Sequence, residues 1–176
     1  MREPTIATPV PGVTLRHASP DDVPLVLDFI RGLAEYERLA HEAVATEAGL
    51  RAALFGPDKV IEVVIADHDG EPAGFALYFY NFSTFVGKRG IYLEDLFVRP
   101  ERRGLGIGRA LLCYLACLAV EQDCGRLEWS VLDWNEPAIG FYRRLGAVAL
   151  DEWTVNRVTG DALRRLGREM AFPPRR

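Results

Sequence analysis

Residues 103–108 are Arg103-Gly104-Leu105-Gly106-Ile107-Gly108. An apolar, strand-like run precedes them over residues 91–98, and a helix-like run follows them over residues 109–120. Glycine at every second position lets the backbone turn sharply and come close to a ligand. Because the first N–H groups of a helix lack partners and carry a partial positive charge, such a turn binds anions, above all phosphates. The pattern predicts a mixed α/β domain that holds a phosphate-bearing cofactor at this turn.

The spacing of these glycines excludes two common phosphate-binding loops. A Walker loop needs Gly-x4-Gly-Lys followed by Ser or Thr, and the sequence has no such run. A dinucleotide fingerprint needs a third glycine at the position that Arg109 occupies here. Four arginines in this region suit phosphate oxygens: Arg99, Arg102, Arg103 and Arg109. The glycines alone leave open a tight strand-to-helix turn without a ligand.

The composition is that of an ordinary globular protein. The chain has 176 residues, of which 49% are hydrophobic and 26% charged, and its net charge is −4. This length suits one domain, for which we expect residues 13–170, with a flexible leader over residues 1–12 and a disordered tail over residues 171–176. The negative charge argues against a nucleic-acid surface, and no apolar run has the length of a membrane span. We therefore expect a cytoplasmic protein without nucleic-acid or membrane partners.

Hydrophobic periodicity and capping signals predict the element order β-α-α-β-β-β-α-β-α-β-β, with a short helix at the end. Strands are expected at residues 13–16, 60–66, 73–82, 88–98, 126–132, 147–150 and 153–158. Helices are expected at residues 20–37, 46–54, 109–120, from Asn135 to just before Gly146, and at 159–169. The spacing of Cys113, Cys117 and Cys124 is unlike that of a zinc site, so we expect buried free thiols and no metal.

Two carboxylates interrupt the apolar run of residues 91–98, namely Glu94 and Asp95. Neighbouring residues of a strand point to opposite faces, so both cannot face water if one face is covered. A half-buried carboxylate is costly unless it is paired or serves a function. An ion pair with a nearby arginine or a loop cap is the structural alternative, and it has more weight for Asp95 than for Glu94. A carboxylate beside a cofactor site is a candidate general base.

Asn135 and Tyr142 lie seven residues apart, which places them on the same side of a helix. A tyrosine hydroxyl there is able to donate a proton to a leaving group. The alternative is that Tyr142 is a core aromatic like its neighbour Phe141, and the spacing alone favours that interpretation.

The motif at residues 103–108 resembles the Arg/Gln-x-x-Gly-x-Gly/Ala cofactor motif of the GCN5-related N-acetyltransferases, which bind acetyl-coenzyme A. Similarity to one branch, the spermidine/spermine (diamine) N-acetyltransferases, extends to residues 91–98, 134–137 and 141–147, in the same order and spacing. The resemblance covers roughly residues 13–165.

This resemblance implies a mixed, mostly antiparallel seven-stranded sheet, with helices on both faces and a splayed central strand pair that holds acetyl-CoA. It implies a homodimer that acetylates the primary amine of a small molecule by direct attack. The implied cofactor-binding residues are Phe97, Val98, Arg103, Gly104, Leu105, Gly106, Ile107, Gly108 and Asn135. It implies Tyr142 as the general acid and Glu94 as the general base, and it places Tyr36, Glu37 and Asp95 on the acceptor side.

One loop departs from the polyamine pattern. Where that branch has an acidic residue and a tryptophan, this sequence has Ser83 and Phe85. The missing carboxylate argues against a long polycation and leaves diamines, polyamines and thialysine- or lysine-like amines open. Two other classes also remain: a protein or peptide N-acetyltransferase, and a non-catalytic acyl-CoA-binding regulatory module.

Overall fold

A computed structural model describes residues 4–170. The described strands are β1 Ile6–Ala7, β2 Val13–His17, β3 Glu62–His68, β4 Glu71–Ser83, β5 Lys88–Val98 and β6 Leu127–Trp129. The described α-helices are α1 Val23–Tyr36, α2 Glu47–Phe55, α3 Ile107–Glu121, α4 Glu136–Arg144 and α5 Gly160–Arg168. By their internal contacts the residues form two compact units, the first ending at Leu132 and the second beginning at Asp133.

The first unit contains a six-stranded sheet in the order β1-β2-β3-β4-β5-β6. All neighbours are antiparallel except β5 and β6, which run parallel. The expected mixed α/β sheet is therefore confirmed, but the strand count of seven is wrong for the part of the chain that the structure describes.

One face of this sheet packs against α1 and α2. Phe29 of α1 stacks on Phe75 of β4 with 5.3 Å between ring centroids, and Phe97 of β5 lies 6.1 Å from Phe29. Leu50 and Leu54 of α2 complete the cluster. A Cβ atom on Gly32 would stand 2.8 Å from the Phe97 ring, so a side chain at this position would require the ring or α1 to shift.

The other face of the sheet is covered by α3, which contacts β2 to β6. Ile107, Leu111 and Leu115 recur at helical spacing, and each is at most 1% exposed. Helices thus cover both faces, as expected, and α3 begins at the buried Ile107, directly after Gly106.

The pairing of β4 with β5 is interrupted by a β-bulge at the middle of the sheet. Leu77 pairs with Asp95 and Tyr78 pairs with Leu93, so Glu94 is the extra residue and has no partner on β4. Asp95 lies two residues before Phe97, and Phe97 pairs with Phe75 and packs against α1. Beyond the bulge, Asp95 therefore faces the side of the sheet that carries α1. Bulges of this kind redirect side chains, often beside active sites.

The second unit contains α4 and α5, both close to their predicted positions. The predicted strands at residues 147–150 and 153–158 are wrong, since neither segment forms a strand. Their apolar residues are exposed, with Val148 83%, Trp153 75% and Val155 80% accessible. Alternation alone does not make a strand, because a strand needs a neighbour for its backbone groups.

Three smaller expectations also need correction. Residues Ile6 and Ala7, within the expected flexible leader, pair with Leu15 and Thr14 and form an edge strand. Cys113 and Cys117 are free, as expected, but exposed rather than buried. The strand expected at 126–132 spans only residues 127–129. The expected disordered tail lies outside the described residues.

Candidate active site

The glycine turn joins the end of β5 to the start of α3. Gly104 and Gly106 have φ angles of 80° and 83°, in the left-handed region that favours glycine. Gly106 is the N-cap of α3, and its carbonyl accepts the first helical hydrogen bond from the Ala110 N–H at 2.9 Å. The N–H groups of Ile107, Gly108 and Arg109 precede that bond and therefore have no acceptor within the helix. This is the anion-binding geometry that the sequence predicts.

The N-terminal segment forms one wall of the glycine turn. A Cβ atom on Gly106 would lie 3.2 Å from Cγ1 of Val10, whereas one on Gly104 would meet nothing within 4 Å. Val10 is held by Thr8, whose hydroxyl receives the Val10 N–H at 3.2 Å and donates to the Val13 carbonyl at 2.8 Å. No local sequence pattern predicts this contact, because it depends on the pairing of β1 with β2.

The four arginines of this region have different surroundings. Arg99 pairs with Asp28 at 2.8 Å, and Arg102 contacts Nδ1 of His68 at 2.9 Å. Since an arginine only donates, the His68 nitrogen in this contact is the acceptor. Arg103 and Arg109 are exposed at the turn. Arg103 and Arg109 are therefore the two most accessible to a phosphate group.

Arg103 also connects the glycine turn with the end of α1. Its Nε–H donates to the Val98 carbonyl at 3.1 Å. Its guanidinium lies 4.4 Å from the centroid of the Tyr36 ring and 5.8 Å from that of Phe97. Arg103 thus contacts Val98 and Phe97, which the resemblance assigns to the cofactor, and Tyr36, which it assigns to the acceptor.

The parallel strands β5 and β6 diverge beside this turn. β6 pairs with β5 only from Ile91 to Leu93, so residues 94–98 have no strand neighbour on that side among the described residues. The expected splayed pair is confirmed. The backbone groups of Phe97 and Val98 lie in the part of β5 that the divergence leaves without a neighbour.

Two carboxylates, Glu94 on β5 and Glu37 just after α1, lie close enough to act on the carboxylate of Asp95. Asp95 is half-buried, and Glu94 is exposed. Burial raises the pKa of Asp95 to about 7, with further contributions from the negative charges of Glu94 and Glu37. Burial also raises the pKa of Glu37. Among residues 4–170, no side-chain nitrogen of Lys, Arg or His lies within 4.0 Å of a carboxylate oxygen of any of the three, so the structural ion pair weighed for Asp95 is not formed.

Asn135 and Tyr142 belong to α4 in the second unit. Asn135 is buried and is the N-cap of α4, accepting a hydrogen bond from the Ala138 N–H at 3.4 Å. Tyr142 lies in the next-to-last turn, half-buried, with its ring 5.3 Å from that of Phe141. The predicted helix start and the C-terminal glycine are confirmed, since Gly146 has a φ of 91°.

The β4–β5 hairpin provides no carboxylate of the polyamine type. The Ser83 hydroxyl is buried and receives the Val86 N–H at 3.2 Å, so it closes the turn. Phe85 is 95% exposed at the tip.

The chain matches the profile of the Acetyltransferase (GNAT) family over residues 29–147. It is 36% identical to an L-ornithine N5-acetyltransferase from Arabidopsis thaliana, covering 86% of each chain. It is 39% identical to a thialysine N-epsilon-acetyltransferase from Bos taurus, covering 88% of this chain and 96% of the relative. A solved integron cassette protein from the mobile metagenome of V. cholerae superimposes with a TM-score of 0.75 at 29% identity, covering 89% of this chain and 98% of that one.

The chain therefore belongs to the GNAT family of acetyltransferases and is an N-acetyltransferase. Acetyl-CoA is the cosubstrate of this family. Within residues 4–170, no group of three or more His, Cys, Asp or Glu side chains is arranged to hold a metal ion, and no helix is long and apolar enough to cross a membrane.

Proposed function

We propose that this protein transfers the acetyl group of acetyl-CoA to the terminal amine of a small lysine- or ornithine-like amino acid. The observation that carries the proposal is the carboxylate cluster, Glu37, Glu94 and Asp95, which has no cationic partner within the described residues. A group of like charges beside an anion-binding turn favours a ligand that brings a cation of its own. The relatives named for ornithine and thialysine support this class of acceptor.

The cofactor is proposed to bind along the open part of β5 and the glycine turn. The pyrophosphate would lie on the N–H groups of Ile107, Gly108 and Arg109, with Gly104, Leu105 and Gly106 forming the turn around it. Arg103 and Arg109 would neutralise its charge. The backbone of Phe97 and Val98 would bind the pantetheine arm. Asn135 is assigned to coenzyme A by the resemblance alone.

The acceptor would lie against Tyr36 and the carboxylate cluster. The ammonium group of the substrate would offset the repulsion among the three carboxylates. Since Ser83 closes its own turn and Phe85 points to solvent, the hairpin has no acid for a second distant amine. We therefore expect a short amine that carries a carboxylate to be preferred over spermidine.

The chemistry requires the ammonium nitrogen to lose two protons and the departing sulfur to gain one. A lysine-like amine has a pKa of about 10.4, so its deprotonation at pH 7 costs roughly 4 to 5 kcal/mol. A carboxylate of β5, Glu94 or Asp95, accepts the first proton, and the free amine then attacks the thioester carbonyl. A backbone N–H of Phe97 or Val98 stabilises the oxyanion. The resemblance alone assigns the protonation of the departing thiolate to the Tyr142 hydroxyl.

A homodimer is proposed from the exposed apolar surface of the β4–β5 hairpin. Phe82, Phe85 and Val86 are 62%, 95% and 54% exposed. Apolar residues clustered in one hairpin are typical of an interface. Light scattering during gel filtration tests this: we expect twice the chain mass for the wild type and a lower mass for Phe85→Glu.

Parallel incubations with different acceptors test the proposed function. Purified protein is mixed with acetyl-CoA and, in separate reactions, ornithine, lysine, a diamine of the same length, spermidine and a lysine-containing peptide. Thiol release and product mass are recorded together, so that hydrolysis is not counted as transfer. We expect the two amino acids to have the highest kcat/KM. A preference for the peptide or for spermidine would contradict the proposed acceptor class.

A further inference from the structure

We infer that Asp95, rather than its exposed neighbour Glu94, is the carboxylate that takes the proton from the attacking amine. This inference rests on the proposed function and names one residue and one step of that reaction.

The position of Asp95 follows from the bulge in β5. Opposite Asp95 on β4 lies Leu77, an apolar and buried residue, and on the α1 side lies Glu37. Glu94 is the extra residue of the bulge and is exposed to solvent. The bulge therefore separates two adjacent carboxylates into one that faces the side of α1 and one that is exposed to solvent.

The surroundings of Asp95 stabilise its ionised form poorly. Its side chain makes no hydrogen bond or ion pair within residues 4–170. The titratable groups that act on it are both acidic, Glu94 on the same strand and Glu37 after α1. For these reasons its pKa rises to about 7, close to a working pH at which a base is most effective. An unpaired, half-buried carboxylate costs stability, and such costs are typical of functional positions.

The proton and electron movements of the step balance. The bound ammonium first gives one proton to the Asp95 carboxylate. The lone pair of the resulting amine nitrogen forms a bond to the thioester carbonyl carbon, and the C=O π electrons move to oxygen. The oxyanion then collapses, the C–S bond breaks with its electrons going to sulfur, and the thiolate takes up the second proton that the nitrogen loses. Asp95 later releases its proton to water.

The pH dependence of kcat/KM with lysine or ornithine tests this assignment, because it reports the groups of the free enzyme and the free amine. If Asp95 takes the proton, the reacting pair is the carboxylate with the ammonium. The wild-type kcat/KM should increase with pH up to about 7, the pKa of Asp95. It should then stay level up to the pKa of the amine, about 10.4. The kcat/KM of Asp95→Asn should instead increase tenfold per pH unit between about pH 7 and about pH 10.4, because only the free amine then reacts.

Two matched variants make the test specific. Glu94→Gln and Glu37→Gln should keep the level region and move the acid limb to lower pH, since each removes a negative charge that raises the pKa of Asp95. With an amine of low pKa, already neutral at pH 7.5, the deficit of Asp95→Asn should shrink from a hundredfold or more to a few-fold. Thermal melting confirms that each isosteric variant is folded.

Three outcomes would overturn the assignment or the function on which it rests. A level profile for Asp95→Asn together with a climbing profile for Glu94→Gln would give the role to Glu94. If Asp95→Asn lowered kcat/KM by the same factor at every pH, through a higher KM and an unchanged kcat, Asp95 would be a binding residue only. Failure of the wild type to acetylate any amine would instead overturn the proposed function itself.

Discussion

The guanidinium of Arg103 lies 4.4 Å above the ring of Tyr36. This contact joins the first residue of the glycine motif to the last residue of α1. The two substrates of the proposed reaction would therefore meet a shared pair of side chains. A cation over an exposed aromatic ring is worth about 0.5–1 kcal/mol.

Tyr36→Leu should weaken coenzyme A binding two- to fivefold, because Arg103 loses the ring that holds it near the turn. Tyr36→Phe keeps the aromatic face and is the matched control, so its affinity should stay within twofold of the wild type. Calorimetric titration with coenzyme A measures both. Equal affinities for the leucine and phenylalanine variants would show that the stack does not support cofactor binding.

Gly106→Val should abolish measurable coenzyme A binding, since a β-branched residue does not tolerate a φ of 83° at the helix N-terminus. The smaller change Gly106→Ala separates the effect of backbone strain from that of the contact with Val10. It should lower the free energy of unfolding more than Gly104→Ala does, because only the Cβ at position 106 meets Val10. The strain common to both changes is about 1–2 kcal/mol.

The additional loss at position 106 should be relieved in the double variant Gly106→Ala with Val10→Ala, as chemical denaturation would show. Equal losses at positions 104 and 106, unaffected by the change at Val10, would mean that the N-terminal segment does not form a wall of the turn.

Tyr142→Phe should reduce kcat by roughly a hundredfold and leave acetyl-CoA affinity unchanged, because the variant removes only the hydroxyl that is proposed to protonate the thiolate. Phe141→Leu is a neighbouring control for packing within α4. Steady-state rates and calorimetry together measure the effect. A wild-type rate in Tyr142→Phe would show that the thiolate leaves unaided and that Tyr142 has a packing role.

Asp95→Asn should stabilise the folded protein above pH 7. Because the pKa of Asp95 rises from 3.8 to about 7 on folding, the folded state binds the proton more tightly than the unfolded chain does. The stability that this proton contributes is complete below pH 3.8 and is lost as the pH rises through 7. One pKa unit corresponds to about 1.4 kcal/mol, so the stabilisation by asparagine at pH 8 should be at most about 4 kcal/mol.

Thermal melting of wild type and Asp95→Asn between pH 4 and pH 9 measures this difference. The advantage of the variant should shrink toward pH 4. An advantage that is constant with pH would mean that the carboxylate is not destabilised by its surroundings.

The elements around the glycine turn could be predicted from sequence because each has local causes. The strand predicted at residues 88–98 has the same bounds as β5, and the predicted start of α3 lies two residues from the observed one. Caps explain similar success elsewhere, since the Thr46 side chain receives the Gly49 N–H at the start of α2. The arginines near the turn were also expected, because their spacing in sequence keeps them close.

The errors and omissions concern contacts between distant parts of the chain. Residues 147–158 alternate like strands but have no strand neighbour, and the edge strand at Ile6 and Ala7 depends on its pairing with β2. The bulge at Glu94 has no local signature, so alternation along β5 did not show which carboxylate is buried. The stacking of Arg103 on Tyr36 joins residues 67 positions apart and could not be read from either segment.

The central claim is that the acetyl group passes from acetyl-CoA to the terminal amine of a short amino acid. The most direct measurement is one incubation with isotopically labelled acetyl-CoA and equal amounts of ornithine and a diamine of the same chain length, followed by mass spectrometry of both amines. The account predicts the labelled acetyl group mainly on the side-chain nitrogen of ornithine, in amounts equal to the thiol released. Thiol release without an acetylated amine, or a label mainly on the diamine, would contradict it.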